Sequence, residues 1–333
     1  LKSAPCIYRS EFNPVLSQKD VPYDADLVFN AGVQKINGTY FMLFRNDYSS
    51  PRGSHNLAGT SIGLARSADG IRWEVDPEPR FNIKKSEKGE ITRIYDPRLQ
   101  VIDGEIYVCF AVDTRHGIRG GIARTDAEFR SFDILSMSAP DNRNMVLFPE
   151  KINGKFMRLE RPFPVYSIGY DKFDVWCSDS PDLVYWGNTK LVLPCETLPF
   201  VNAKVGPAAP PVKTEKGWLT TFHAVRAVRA KKNGWERKWG KEYFAGIMLL
   251  DLVDPSKVIG ICDQPLLAPE APYETKGGFR NNVIFPGGMI LEDNGEVKIY
   301  YGAADAVECL ATANVDDLIA LCLQNGNKKG ETI

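Results

Sequence analysis

The sequence predicts an all-β protein, a single five-bladed β-propeller spanning residues 1–333. Two observations predict it. A hairpin signature recurs five times along the chain, and a second strand-and-turn motif follows most of the copies. Units of this kind cannot bury their faces alone, so they pack against one another radially.

The hairpins, in chain order, are QKINGTYFMLF, QVIDGEIYVCF, EKINGKFMRLE, VKTEKGWLTTF and LEDNGEVKIYY, with turn glycines Gly38, Gly104, Gly154, Gly217 and Gly295. Four of the five turns carry Asn-Gly or Asp-Gly. Those dipeptides accept positive φ at both central positions of a two-residue turn. Alternation in TYFMLF and EVKIYY marks the flanking strands. The following motif reads IGLARSADGIRWE, GGIARTDAEFRSFD, DVWCSDSPDLVYWG, AGIMLLDLVDPSKV and, in degenerate form, ECLATANVDDL. Each copy is a strand, a polar turn and a residue that restarts a strand. A unit therefore supplies about four strands in roughly 67 residues. One helix is expected, VDDLIALCLQN at residues 315–325, with an acidic first turn.

The chain is 44% hydrophobic and 25% charged, an ordinary globular composition for 333 residues. Its 41 basic and 42 acidic residues leave a formal net charge of −1. At that level nothing calls for a nucleic-acid partner or a membrane surface. No apolar run is long enough to span a bilayer. The opening LKSAPCIYRSEF lacks the apolar core of a signal peptide and a starting Met. We expect a cytoplasmic protein, or a periplasmic one if an export signal has been removed. The seven cysteines are scattered, several inside apolar strands as in IYVCF, and read as buried thiols in a reducing compartment. His55, His116 and His223 show no metal-ligand spacing, so no metal and no cofactor is expected. Homo-oligomerisation is left open.

Each hairpin is preceded by a short strand: LVFNAGV, RIYDPRL, MVLFPEK, AKVGPAA and NVIFPGG. In a propeller these first strands line the central axis. Asn30, Asp96, Pro149, Pro207 and Pro286 fall at corresponding places, and only one of them is a carboxylate. Asp96 precedes Pro97, which extends its backbone, and Pro97 fits best at the first residue of a strand. An aspartate in a turn would account for IYDPRL alone; a lone acid at the axis makes Asp96 a functional candidate.

Three basic residues enter or leave the inner strands of the third and fourth units: Arg143, Arg161 and Lys204. Two guanidiniums and an ammonium suit a phosphate, since Arg offers a fork of donors and Lys a point charge. Surface ion pairs with Glu150, Glu160 and Glu196, near in sequence, are the alternative. Asp305 ends the last hairpin strand in IYYGAAD, where small residues permit close approach; a loop aspartate is the alternative. Asn30, Arg45 and Asp47 occupy the rim of the first unit. AKKNGWERKWGKEYFAG, residues 230–246, fits a lid, an oligomer contact or a solvated loop. His223 faces the funnel or sits satisfied in the core.

IYDPRL, NRNMVLFPEKINGK, the RP of RLERP, KVGPAAPP, AGIMLLDLVDPSKV, NNVIFPGG and IYYGAAD, in this order, resemble glycoside hydrolase family 130 from about residue 13 to residue 320. That family contains the inverting β-mannoside phosphorylases, and its fold is a five-bladed β-propeller. The resemblance implies that Asp96 is the catalytic acid. It implies that Tyr95, Asn30, Arg45 and Asp305 hold the mannosyl group and that Phe285 lines the sugar site. Arg143, Arg161, Lys204 and Tyr243 match the phosphate set, and His223 lies in a segment beside it. Inorganic phosphate would then be the co-substrate, a β-mannoside oligosaccharide the other partner, and α-mannose 1-phosphate the product. In the family the proton is thought to pass through the sugar's 3-hydroxyl. To act as acid Asp96 must be protonated, so its pKa is expected to be raised by burial or a nearby carboxylate.

The segment PFPVYSIGYDKFD departs from the branch acting on mannosyl-N-acetylglucosamine, which has a Gly-His-Thr-Pro turn there. The acceptor sugar and the linkage, β-1,4 or β-1,2, stay open. An inverting β-mannosidase on the same fold and a non-catalytic carbohydrate-binding propeller are the competing readings. The mannosidases of the family lack the basic set that this chain keeps.

Overall fold

In the computed structural model, residues 1–49, 57–81, 91–164, 169–228 and 240–324 are described. Strand β1 (Tyr8–Arg9) is followed by an antiparallel meander of β2 (Leu27–Ile36), β3 (Thr39–Ser49), β4 (Leu57–Ser67) and β5 (Glu74–Val75). The second sheet is eight-stranded. It holds β6 (Ile91–Ile102), β7 (Glu105–Thr114), β8 (Gly117–Thr125) and β9 (Phe132–Met137), then β10 (Asn142–Leu147), β11 (Phe156–Pro162), β12 (Val175–Ser180) and β13 (Gly187–Leu193). Among the described residues its two halves are paired by a single parallel bridge, Asn142 with Arg119. The third sheet comprises β14 (Lys204–Pro207), β15 (Val212–Lys213), β16 (Trp218–Ala227), β17 (Lys241–Leu250) and β18 (Val258–Ile261). In the last, β19 (Ile284–Leu291), β20 (Glu296–Ala303) and β21 (Val307–Asn314) are completed by β1. The N-terminal strand is held there by Arg9, which bonds the buried Glu274 at 2.7 and 3.0 Å. The all-β expectation is met.

Turn chemistry explains most of the hairpins. Asn37–Gly38, Asp103–Gly104 and Asn153–Gly154 all have positive φ at both positions, as a two-residue turn with the right-handed strand twist requires. The fourth dipeptide behaves differently. Of Asn294 and Gly295 only the glycine has positive φ, and the Gly295 amide donates to the Glu292 carbonyl in a longer turn. Two helices were identified: α1 (Pro272–Thr275), which the sequence did not suggest, and α2 (Val315–Leu323). The Asn314 side chain caps α2 by accepting from the Asp316 amide at 2.8 Å. The helix stops short of the expected end, and residue 325 lies outside the described residues. So does most of the charged insertion at 230–246, and so does His55.

The core is divided between neighbouring meanders. One apolar cluster joins Leu43 and Ile62 to Leu99 and Val108; another joins Tyr107 and Ile122 to Met145 and Phe156. A third packs Leu159 and Cys177 on Trp218 and Phe222, and a fourth packs Leu249 on Ile299 and Cys322. The last sets Val33 and Met42 of the first sheet against Tyr300 and Leu310 of the last. The strands β2, β6 and β19 approach one another backbone against backbone. A Cβ at Gly32 of β2 would lie 2.7 Å from the Pro97 carbonyl oxygen of β6, which is why that position is glycine. All seven cysteines are free thiols, and all but Cys6 are buried.

Candidate active site

The stretch IYDPRL is not the start of a strand. β6 begins at Ile91 and runs through it, but the register with β7 jumps from Tyr95↔Ala111 to Arg98↔Cys109. Asp96 and Pro97 therefore form a bulge without ladder partners. Pro97, lacking an N–H, loses nothing there, and Asp96 takes the positive φ of 53° that an Asx residue tolerates. β2 repeats the device: pairing jumps from Phe29↔Arg45 to Gly32↔Leu43, and Asn30 has φ 53°. β10 repeats it again between Arg143↔Arg161 and Val146↔Leu159, with Asn144 at φ 59°. The structural counterpart of Asp96 in the third unit is thus Asn144, not Pro149. The misalignment has a simple cause. The Asx residue lies 8 positions before the turn glycine in the first two units (38 − 30, 104 − 96) but 10 before it in the third (154 − 144). Aligning FNAGV, YDPRL and RNMVL would have found it.

These bulges open on one cavity. Asn30, Arg45, Tyr95 and Asp96 line one side of it, Arg143, Arg161, Lys204 and Tyr243 the other, with Phe285 and Asp305. Asn144, Arg280 and Val283 also line it, and sequence reasoning missed all three. His223 does not. It is fully buried behind Arg161, so its role is support and not direct contact with an anion.

Asp96 Oδ1 accepts from Asn30 Nδ2 at 3.0 Å and from Arg45 Nη1 at 3.4 Å. Arg45 is fixed by a two-pronged pair with the buried Asp47, at 2.8 and 2.7 Å, and packs on the rings of Phe29 and Tyr95. Asp47 also takes Arg93 at 3.2 Å. Burial pushes the Asp96 carboxyl up, but Arg45, Arg98, the Asn30 amide and Arg143 together outweigh it and hold it below the usual carboxylate range. The expectation of a raised pKa is therefore corrected: arginines of β3, β6 and β10 surround this carboxylate. Of the carboxyls lining the cavity the raised one is Asp305, pushed up to about 6 by burial against the pull of Arg280 and Arg45. It accepts from Arg280 Nη1 at 3.1 Å.

The opposite side is cationic. Glu150, Glu160 and Glu196 do not neutralise it: they pair with Lys213, Arg158 and Lys172 at 2.6, 2.8 and 2.6 Å. Strand alternation turns Glu160 away from the face that carries Arg161. Among the described residues no carboxylate lies within ion-pair distance of Arg143, Arg161 or Lys204. Arg161 is 2% exposed, and its Nε and Nη2 have no hydrogen-bond partner among the described residues. Its Nη1 donates to His223 Nε2 at 2.7 Å, while His223 Nδ1–H donates to the Pro207 carbonyl at 3.1 Å, so the imidazole is neutral with a fixed tautomer. Burial, Arg161 and Lys204 all hold His223 well below its ordinary pKa. Burial, then Arg161, Lys241, Arg143 and Arg280, push Lys204 down to about 6. Tyr95 links the two sides: its hydroxyl donates to Asp113 at 2.7 Å and accepts from Arg143 at 3.2 Å. A carboxyl facing a pocket of uncompensated cations is equipped to protonate one atom while an anion is held nearby.

Comparison with known proteins agrees with this chemistry. The family model Glyco_hydro_130, described as beta-1,4-mannooligosaccharide phosphorylase, matches residues 6–324. A beta-1,4-mannooligosaccharide phosphorylase of Ruminococcus albus is 32% identical, over 96% of this chain and 92% of that protein. A 1,2-beta-oligomannan phosphorylase of a Thermoanaerobacter species is 31% identical, over 92% and 96% of the two chains. The solved beta-1,2-mannobiose phosphorylase of Listeria innocua, in complex with beta-1,2-mannobiose, superposes with a TM-score of 0.79 at 26% identity, over 95% of this chain and 99% of that one. With a family match from end to end and relatives of this similarity along both chains, the chain belongs to glycoside hydrolase family 130.

Proposed function

We propose that this protein is an inverting β-mannoside phosphorylase that cleaves β-mannosidic bonds with inorganic phosphate and releases α-mannose 1-phosphate. The observation that carries the reading is the group of Arg143, Arg161 and Lys204, which shares a cavity with Asp96 and has no carboxylate to neutralise it among the described residues. An inverting hydrolase needs a second carboxylate to activate water, whereas phosphate is already an anionic nucleophile and needs cations to hold it in line. Phosphoryl oxygens would take the free donors of Arg161 and Arg143, with Lys204, Tyr243 and Asn144 beside them. Asn30, Arg45, Tyr95, Asp305 and Phe285 would hold the mannosyl ring. A phosphate oxygen bonds to the anomeric carbon as the glycosidic C–O bond breaks, and the proton of Asp96 passes to the departing oxygen.

The lowered pKa of Asp96 fits this order of events. A bound phosphate dianion offsets the field of Arg143 and its neighbours, and the sugar excludes water; both changes raise the carboxyl towards its acid form. The names of the relatives support the reading and include both linkages. The fold proposed beside it is a five-bladed propeller. Dividing the eight-stranded sheet at its single bridge turns four sheets into five meanders, and apolar clusters join each to the next and the last to the first.

Incubation with β-1,4- and β-1,2-mannobiose, each with and without phosphate, tests the reaction. The expected result is α-mannose 1-phosphate formed only with phosphate, from the disaccharide whose linkage the enzyme takes. Free mannose released at the same rate without phosphate would overturn it in favour of a mannosidase.

A further inference from the structure

Beneath the cleft lie two buried ionisable side chains that the proposed reaction does not use. Arg98, two residues beyond Asp96, is 3% exposed, and Glu308 of β21 is 0% exposed. Arg98 lies over the ring of Phe285 and gives all its hydrogen bonds to backbone carbonyls. Its Nη1 donates to the carbonyls of Asn30 and Pro97 at 3.1 and 2.7 Å, its Nε to that of Ala208 at 2.6 Å, and its Nη2 to that of Pro286 at 3.3 Å. One guanidinium thus ties the central strands β2, β6 and β19 to the segment following β14. Glu308 approaches the same point from the other side. Its Oε2 accepts from the Ala31 amide at 3.1 Å. No hydrogen bond or ion pair joins Arg98 to Glu308 among the described residues; both are committed to the backbone at Asn30.

Asn30 sits in the β2 bulge, at positive φ and without a ladder partner on β3. Arg98 holds its carbonyl and Glu308 the amide that follows. The side chain so oriented is the one that donates to Asp96 at 3.0 Å. A buried guanidinium and a carboxyl that burial pushes up to about 8 are a costly way to hold strands together, and apolar residues of similar volume would serve stability as well. What the pair supplies is a fixed geometry for one bulge.

We propose that Arg98 and Glu308 are positioning residues of the reaction: they clamp the Asn30 bulge from both sides and, through the Asn30 amide, fix the carboxyl of Asp96. The inference rests on the assignment of Asp96 as the acid. Arg98 also contributes charge. The groups facing Asp96 are Asn30 of β2, Arg45 of β3, Arg98 of β6 and Arg143 of β10, with Asp305, Glu308 and Arg161 also acting on it.

Steady-state kinetics of Arg98→Met, Arg98→Lys, Glu308→Leu and Glu308→Gln, each with a thermal melt, test the clamp. Arg98→Met and Glu308→Leu are expected to lose about 10- to 100-fold in kcat, while the phosphate KM changes less than about twofold. The two conservative variants should recover part of that loss. An acid loses its proton as pH rises through its pKa, and removing a cation raises that pKa. The alkaline limb of kcat in Arg98→Met should therefore move up by about half a pH unit or more. A smaller fraction of active enzyme would leave the limb where it was.

Kcat at the wild-type level in folded Glu308→Leu, or an unmoved limb in Arg98→Met, overturns the proposal. If either of these does not fold, a cycle of Arg98→Lys with Asn30→Ala decides it. Action through Asn30 predicts that the double variant is little worse than the poorer single one, and additive losses contradict that. Asp96→Asn separates the two levels of the argument. Full turnover in Asp96→Asn removes the acid assignment itself. Its loss, beside unaffected Arg98 and Glu308 variants, removes the clamp alone.

Discussion

The side of the cleft built by β2, β3 and β6 is electrostatically complete, whereas the side built by β10, β11 and β14 is not. On the first, Arg45 spends both arms on Asp47 and reaches Asp96, Arg93 adds to Asp47, and Asn30 holds Asp96. On the second, Arg161 has a neutral histidine and the ring of Phe173 for company, and Lys204 lies over Phe173 and Tyr243. The difference follows the chemistry of the two proposed ligands. A sugar is neutral, so the groups that bind it can cancel one another's charge beforehand and stand rigid. An anion is bound by charge that nothing else has cancelled, and the free protein carries that repulsion until the anion arrives.

The comparison can be broken by mutation, and the largest effect should come from the reacting group. Asp96→Asn is expected to lose about 10²–10⁴-fold in kcat, the usual range for a general acid. Phosphate binding, measured separately by titration, should be retained, since the variant removes a negative charge from the neighbourhood of the anion. Next come two substitutions with opposite signatures. Asp47→Asn leaves Arg45 without its main partner at a 1% exposed site, and should cost about 3–5 kcal/mol of stability in denaturant unfolding. Arg161→Met should cost about 10²–10³ in kcat/KM for phosphate yet leave the ligand-free protein as stable or more so, because it removes an uncompensated buried cation. Equal destabilisation by both would erase the contrast between the two sides.

A pH dependence sharpens it further. Lys204, held near 6 by burial and the neighbouring cations, is largely neutral above neutrality, and a bound dianion favours its ammonium form. Binding therefore takes up a proton, and a rise in pH opposes it. The phosphate KM should rise between about pH 7.5 and 9, where free phosphate is already mostly dianionic. In Lys204→Met the KM should be higher but nearly flat over that interval. The same group has a sign for folding. Unfolded lysine binds a proton up to about pH 10.4, so the folded ligand-free state binds fewer protons between 6 and that value, and its stability gains with pH there. The smallest effect is expected at the bridge between the two sides. Tyr95→Phe loses the hydroxyl shared by Asp113 and Arg143, about 1 kcal/mol or a few-fold in kcat/KM.

Much of the fold was legible because its signals are local. Asn-Gly and Asp-Gly dictate turn geometry wherever they stand, and three of the four such turns adopt it. Most of the candidate site was legible through the family resemblance, which named ten of the residues that meet in the cavity. What escaped depends on contacts distant in sequence or on register. Asn144 was hidden by two additional residues before its turn. The partners of Glu150, Glu160 and Glu196 could not be read from proximity in the chain, because alternation along a strand sends neighbours to opposite faces. The charge state of Asp96 was misjudged for a related reason: burial was foreseeable, but the arginines that overcome it come from three different strands. Arg98 stood in plain view in IYDPRL, yet its four carbonyl acceptors span residues 30 to 286.

The most direct test of the central claim is a calorimetric titration of the sugar-free protein with inorganic phosphate, beside the same titration of Arg161→Met. The account predicts saturable binding at one site in the wild type, with proton uptake at pH above neutrality, and its loss in the variant. Absence of binding, or equal binding in both proteins, would contradict the assignment of Arg143, Arg161 and Lys204 to phosphate.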